Sequence, residues 1–219
     1  MWKTLLRTTD WSDVFDLISP SMFRILSPST IARQARELAR NWRDSDHFEG
    51  VLADVQGRLG DANLPIELVT RRPEDAHFGA DDGKLVLGLF FTQLFSGQSA
   101  ILDIRHSRFW VEDGRTLWAP RPYYLEWDAE FLEHLRSVYT GFYREDSTEY
   151  ERAMAELGLE GLGDVFREQF GGQDRRHVSF ELSNFRATFK HILSESRERD
   201  TQLHPNFIAL GIYLACLYD

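Results

Sequence analysis

Cysteine is almost missing from this chain. Cys216 stands alone among 219 residues, which excludes an intrachain disulfide and any cysteine-based zinc site. Lysine is also scarce, occurring only as Lys3, Lys84 and Lys190. Positive charge is in deficit overall: 25 Lys plus Arg face 35 Asp plus Glu, for a net charge of -10 and a pI near 5.2. A nucleic-acid binder needs a basic footprint to displace counterions from phosphates, so this balance points away from nucleic acid as a partner. Long hydrophobic runs are absent too. The longest, FIALGIYLACLY at 207–218, is too short to span a bilayer. Asp10, Asp13 and Asp16 interrupt any signal-peptide core at the start, and they would set the apolar stripe of residues 2–18 badly against anionic lipid. A soluble, cytoplasmic, reducing setting is therefore expected, with Cys216 as a buried structural thiol.

Motifs with a defined mechanism are missing as well. There is no GxSxG nucleophile elbow, no Walker or dinucleotide glycine loop and no HExxH pair. The seven histidines lie more than five residues apart. Two sets of potential metal ligands remain, Asp44/Asp46/His47/Glu49 and Asp75/His77/Asp81/Asp82. Helix capping explains the first and a solvated loop the second, so no metal is expected.

What is present is a globular composition, 42% hydrophobic and 13% aromatic, in a chain long enough to bury one substantial core. A single domain over 1–219 is expected, with an N-terminal helical or extended region over 1–84. Apolar residues recur at helical spacing over 2–18, 29–43, 47–59 and from Asp128 to the end. Over 84–95 they are nearly continuous, which fits a strand or a helix; the length and the Gln93–Gly97 ending favour helix, with an early strand turn at Leu85–Leu87 as the alternative. In the stretch from Asp128, that residue is the expected cap, Gly158 an expected stop, and 205–218 a helix apolar on nearly every side. Leu64–Thr70, Ser99–Ile104, Phe109–Glu112 and Arg115–Ala119 read as strands, the last two joined at Asp113-Gly114 and ended by Pro120 and Pro122. The expected fold class is α+β, mainly α, with a small antiparallel hairpin or sheet at about 66–119 packed on a C-terminal helical bundle.

The densest polar run is Asp103-Ile104-Arg105-His106-Ser107-Arg108. At a strand end, Asp103 and His106 have the chemistry of a base and its orienter, and would need a cleft lined by aromatics such as Trp110, Trp118 or Tyr123. On the residues alone, the favoured reading is an Asp–Arg pair and a turn histidine that stabilise the strand end.

The segment Gly88–Asp128 resembles part of the C-lobe of the AarF/UbiB family of atypical kinases. FFTQLF at 90–95 resembles the helix before that family's catalytic loop. Asp103 falls on the catalytic aspartate, and Phe109–Val111, Asp113-Gly114-Arg115 and Thr116–Ala119 follow its strand, turn and strand. The helical stretches 129–159 and 189–219 resemble its later C-lobe helices, so the resemblance covers about 88–219 and marks 85–219 as a kinase-C-lobe-like region. Two departures are chemical. The family's metal-binding asparagine falls on Arg108, a cation, and its DFG aspartate falls on Pro120. Phosphoryl transfer rests on positioning and metal neutralisation. The resemblance therefore implies a kinase-C-lobe-like fold without magnesium–ATP chemistry and with no cofactor. Arg105, Arg108, Arg115 and Arg121 would be its candidates for holding an anion, and another protein its expected partner. The expected function is a non-catalytic, pseudokinase-like interaction or regulatory protein. Its alternatives are a small enzyme using Asp103 and His106, and a subunit of a larger assembly.

Overall fold

The computed structural model describes residues 45–70, 83–169, 182–198, 203–204 and 206–218. The helices expected over 2–18 and 29–43 lie outside these residues, as do Asp44 and the Asp75/His77/Asp81/Asp82 set. Within them the chain is α+β and mainly α, as its periodicity predicts.

Helix α1 (Ser45–Asp61) buries Val51, Val55 and Leu59, spaced by four along one face. Its end is set by a Schellman motif. Asn63 takes the left-handed conformation at φ 51, Leu64 N–H donates to Leu59 C=O at 2.9 Å, and Asn63 N–H to Gly60 C=O at 3.0 Å. Strand β1 (Ile66–Leu68) follows, and then α2 (Gly83–Ser96), which buries Val86, Leu89, Phe90, Gln93 and Leu94.

Strand β2 (Ser99–Ile101) leads through a 3-10 turn at His106–Arg108 into β3 (Phe109–Glu112) and β4 (Arg115–Trp118). The β3–β4 hairpin is antiparallel with Glu112 opposite Arg115. Asp113 and Gly114, at φ 50 and 75, make the two-residue turn whose twist matches the strands. Strand β5 (Tyr124–Glu126) pairs antiparallel with β2.

Two details differ from the expected antiparallel sheet at 66–119. β1 joins β4 in parallel, Ile66 opposite Thr116, because the chain crosses over through α2 before it returns. The strand predicted over 99–104 stops at Ile101 and pairs with β5, beyond Pro120 and Pro122, instead of with the hairpin. The result is a three-stranded sheet, β1-β4-β3, and a two-stranded one, β2-β5.

Glutamine side chains occupy two of the strand positions that would otherwise present unpaired backbone. Gln56 of α1 accepts from Leu68 N–H at 2.7 Å and donates to Ile66 C=O at 3.3 Å. Gln93 of α2 treats Ile101 alike, at 2.7 and 3.2 Å. Each amide acts as a short strand partner, satisfying buried backbone that would otherwise lose its hydrogen bonds.

The remaining described elements are helices: α3 (Ala129–Arg144), α4 (Ser147–Glu156), α5 (Gly163–Gln169), α6 (Leu182–Glu198) and α7 (Asn206–Tyr218). Asp128 caps α3 by accepting from Phe131 N–H. α3 packs closely on α4 because residue 141 is glycine. A Cβ there would lie 2.7 Å from Tyr150 N and 2.9 Å from its Cα. α7 is buried along nearly its whole length, Cys216 included. Its Tyr213 ring lies 4.8 Å from Phe90 of α2. Among the described residues no helix is long and apolar enough to cross a membrane.

Candidate functional site

The link from β2 to β3 holds the residues singled out by sequence. Asp103 lies just past β2 with no solvent exposure at all. Its Oδ1 accepts from Arg105 Nε at 2.6 Å. Its Oδ2 lies 3.1 Å from Arg108 Nε and accepts from the backbone N–H of Arg121 at 3.1 Å. Its carbonyl oxygen accepts from the Trp118 indole N–H at 3.0 Å. Arg105 is itself only 3% exposed. A buried carboxylate is tolerated only when paired and hydrogen-bonded, and both oxygens of this one have close donors.

The turn after β2 and the end of β4 bring these groups together. Arg108 N–H donates to Arg105 C=O at 2.9 Å, closing the 3-10 turn, and Ala119 N–H donates to Arg108 C=O at 3.0 Å, tying the turn to the end of β4. Both guanidinium groups therefore reach back over Asp103, while His106 sits exposed on the outside of the turn. The expected base is thus buried and its expected orienter exposed.

The aromatic lining needed for a cleft is used for packing. Trp118 is fully buried and stacks on Phe109 across the hairpin, centroids 5.6 Å apart and planes 3° from parallel. Trp110 faces a separate small cluster with Leu117 and Ala119, and Tyr123 is half-buried.

Four arginines are expected to gather around an anion. Arg105 and Arg108 meet at Asp103, and Arg121 contributes its backbone N–H. Arg115 lies at the hairpin turn and pairs with Glu67 of β1 at 3.1 Å, both side chains exposed. Among the described residues no three of His, Cys, Asp and Glu come together to hold a metal ion.

A second polar cluster was not singled out by sequence. At the C-terminal end of α2, Arg136 of α3 donates to Leu94 C=O at 2.7 Å and Gly97 C=O at 2.6 Å. Arg58 of α1 approaches from the other side, donating to Ser99 C=O at 2.9 Å, Gln93 C=O at 3.4 Å and Asp54 at 2.8 Å. Helix α2 has no basic residue in its own last turn, so two arginines from other helices meet its negative dipole end. Burial, and then the charge of Arg58, lower the pKa of Arg136. Only Gly97 hints at this arrangement in the sequence: a Cβ there would collide with the Arg58 guanidinium.

An apolar cavity of about 20 Å³ lies between α5, α6 and α7, lined in part by Phe166, Phe185, Phe189 and Phe207. That is room for little more than one water-sized sphere. Phe95 of α2 and Tyr143 of α3 are exposed at 43% and 51%, with the Phe91 ring 6.2 Å from each.

Compared with protein-family models, curated proteins and solved structures, the chain matches none at a significant level.

Proposed function

We propose that this protein is a non-catalytic interaction or regulatory module, related in plan to a kinase C-lobe and lacking its phosphotransfer chemistry. The observation that carries this reading is the state of Asp103. A general base must reach the proton it removes, and a carboxylate that serves magnesium must offer the metal an oxygen. Asp103 has no solvent exposure, and its oxygens face Arg105, Arg108 and the Arg121 N–H. Arg108, where the kinase family carries a metal-binding asparagine, brings positive charge to the same carboxylate. An active-site acid has become an internal anchor in this reading, and the face around it is a scaffold. The exposed Phe95 and Tyr143 supply apolar surface of the kind that protein contacts use.

Calorimetric titration of the intact protein with ATP and magnesium tests the reading. No heat of binding is expected, and no thermal stabilisation either. Stabilisation by ATP that requires magnesium would overturn it, because a functioning nucleotide and metal site would then exist.

A further inference from the structure

The helices α3 and α7 begin side by side, and one histidine lies between their first turns. Asp128, the cap of α3, donates its backbone N–H to Asn206 Oδ1 at 3.0 Å, while its Oδ1 accepts from Phe131 N–H at 3.0 Å. Asn206 N–H donates in turn to His204 Nδ1 at 3.1 Å. Nδ1 is thus the acceptor, and the neutral ring carries its proton on Nε2, which lies 3.9 Å from Asp128 Oδ1. The ring also stacks on Phe131, centroids 4.8 Å apart. These contacts close a circuit from the start of α3 to the start of α7 and back.

We propose that His204 is a pH-sensitive latch: its neutral imidazole ties the first turn of α7 to the cap of α3, and protonation releases that turn. The argument is one of donors and acceptors. Protonated Nδ1 is a donor, so it can no longer accept from Asn206 N–H. The imidazolium would also sit between two helix N-termini, each of which carries partial positive charge. Among the described groups the Asp128 carboxylate opposes this, facing the ring from α3. It is half-exposed, 3.9 Å away and already accepting from Phe131 N–H, and exposed ion pairs contribute little. Glu130, in the first turn of α3, lies toward His134 at 3.9 Å. From α7 the described neighbours are the uncharged Asn206 and Phe207. Loss of the capping acceptor therefore decides the direction, and acid loosens the latch.

The consequence reaches the core. Phe207, in the released turn, stacks on Phe189 of α6 at 5.4 Å and lies 6.4 Å from Phe166 of α5. Opening the turn uncovers the aromatic faces that line the apolar cavity.

Amide hydrogen exchange of the intact chain, corrected for intrinsic rates, tests this between about pH 7.5 and pH 5.5, the range in which histidine titrates. Protection of the Asn206 and Phe207 amides is expected to fall about tenfold on acidification. In His204→Asn, whose side chain accepts without titrating, that pH dependence should disappear. An equal fall in the variant, or unchanged protection in the wild type, would overturn the proposal. Should the variant not fold, nitrogen chemical shifts of the wild-type imidazole decide: unprotonated Nδ1 at neutral pH supports the latch, and protonated Nδ1 contradicts it.

Discussion

Around Asp103 one buried carboxylate gathers two guanidinium groups, whereas at the end of α2 two guanidinium groups gather carbonyl oxygens. The two clusters use the same residue type for different physical ends. The first balances full charges out of reach of water, where losing one partner strands the other. The second places cations against the partial charges of a helix terminus, and Arg136 there keeps contact with solvent. The first should therefore be far more sensitive to a single substitution, although both involve comparable numbers of hydrogen bonds.

Asp103→Ala should be the most damaging change, because it leaves Arg105 buried without its counter-charge. A loss of about 3–5 kcal/mol is expected, read as a large drop in the urea midpoint. A variant within about 0.5 kcal/mol of wild type would mean that this cluster behaves like a surface pair.

The high-pH limit of stability should come from buried tyrosine hydroxyls. Burial raises the pKa of Tyr139, Tyr150 and Tyr213 above the ordinary 10.0, each with desolvation as the leading cause. The unfolded chain then releases these protons at lower pH than the folded one. Their contribution to stability is full below about pH 10 and falls as pH rises through their folded values. Denaturation midpoints measured upward from pH 9 should decline steeply past that point, and a flat profile would contradict the burial of these hydroxyls.

Arg136→Ala removes hydrogen bonds to the carbonyls of Leu94 and Gly97, at and just past the end of α2, that water can partly replace. A loss of about 1–2 kcal/mol is expected, and a cost equal to that of Asp103→Ala would erase the contrast between the clusters. The smallest effect belongs to the exposed Arg115–Glu67 pair. Glu67→Gln should change stability by less than about 0.5 kcal/mol and lose even that in high salt.

The same contrast explains what could be read from the sequence. Asp103, Arg105 and Arg108 fall within six residues, so their polar density is visible as a string; their burial, which fixes their role, is not. Arg58 and Arg136 approach α2 from 35 to 42 residues away, and no local pattern announces them. Helix ends divide in the same manner. Gly158 signals the end of α4 by its residue type and adopts φ 73 as expected. Asn63 and Glu145 take the same left-handed position at the ends of α1 and α3, and glutamate gives little sign of doing so. The β3–β4 hairpin is legible because Asp113-Gly114 carries its geometry locally. The parallel pairing of β1 with β4 and the existence of β5 depend on partners beyond a helix or a proline-rich turn, outside the range of any period-two pattern.

A double-mutant cycle between Asp103 and Arg105, read by urea unfolding, tests most directly whether this acid is an anchor of the fold. Each single substitution to alanine should cost about 3–5 kcal/mol, while the double variant should be little worse than either, because removing both leaves neither of these two buried charges without the other, and the remaining cation, Arg108, is partly exposed. Two small, additive effects would contradict the account and return Asp103 to the list of residues available for chemistry.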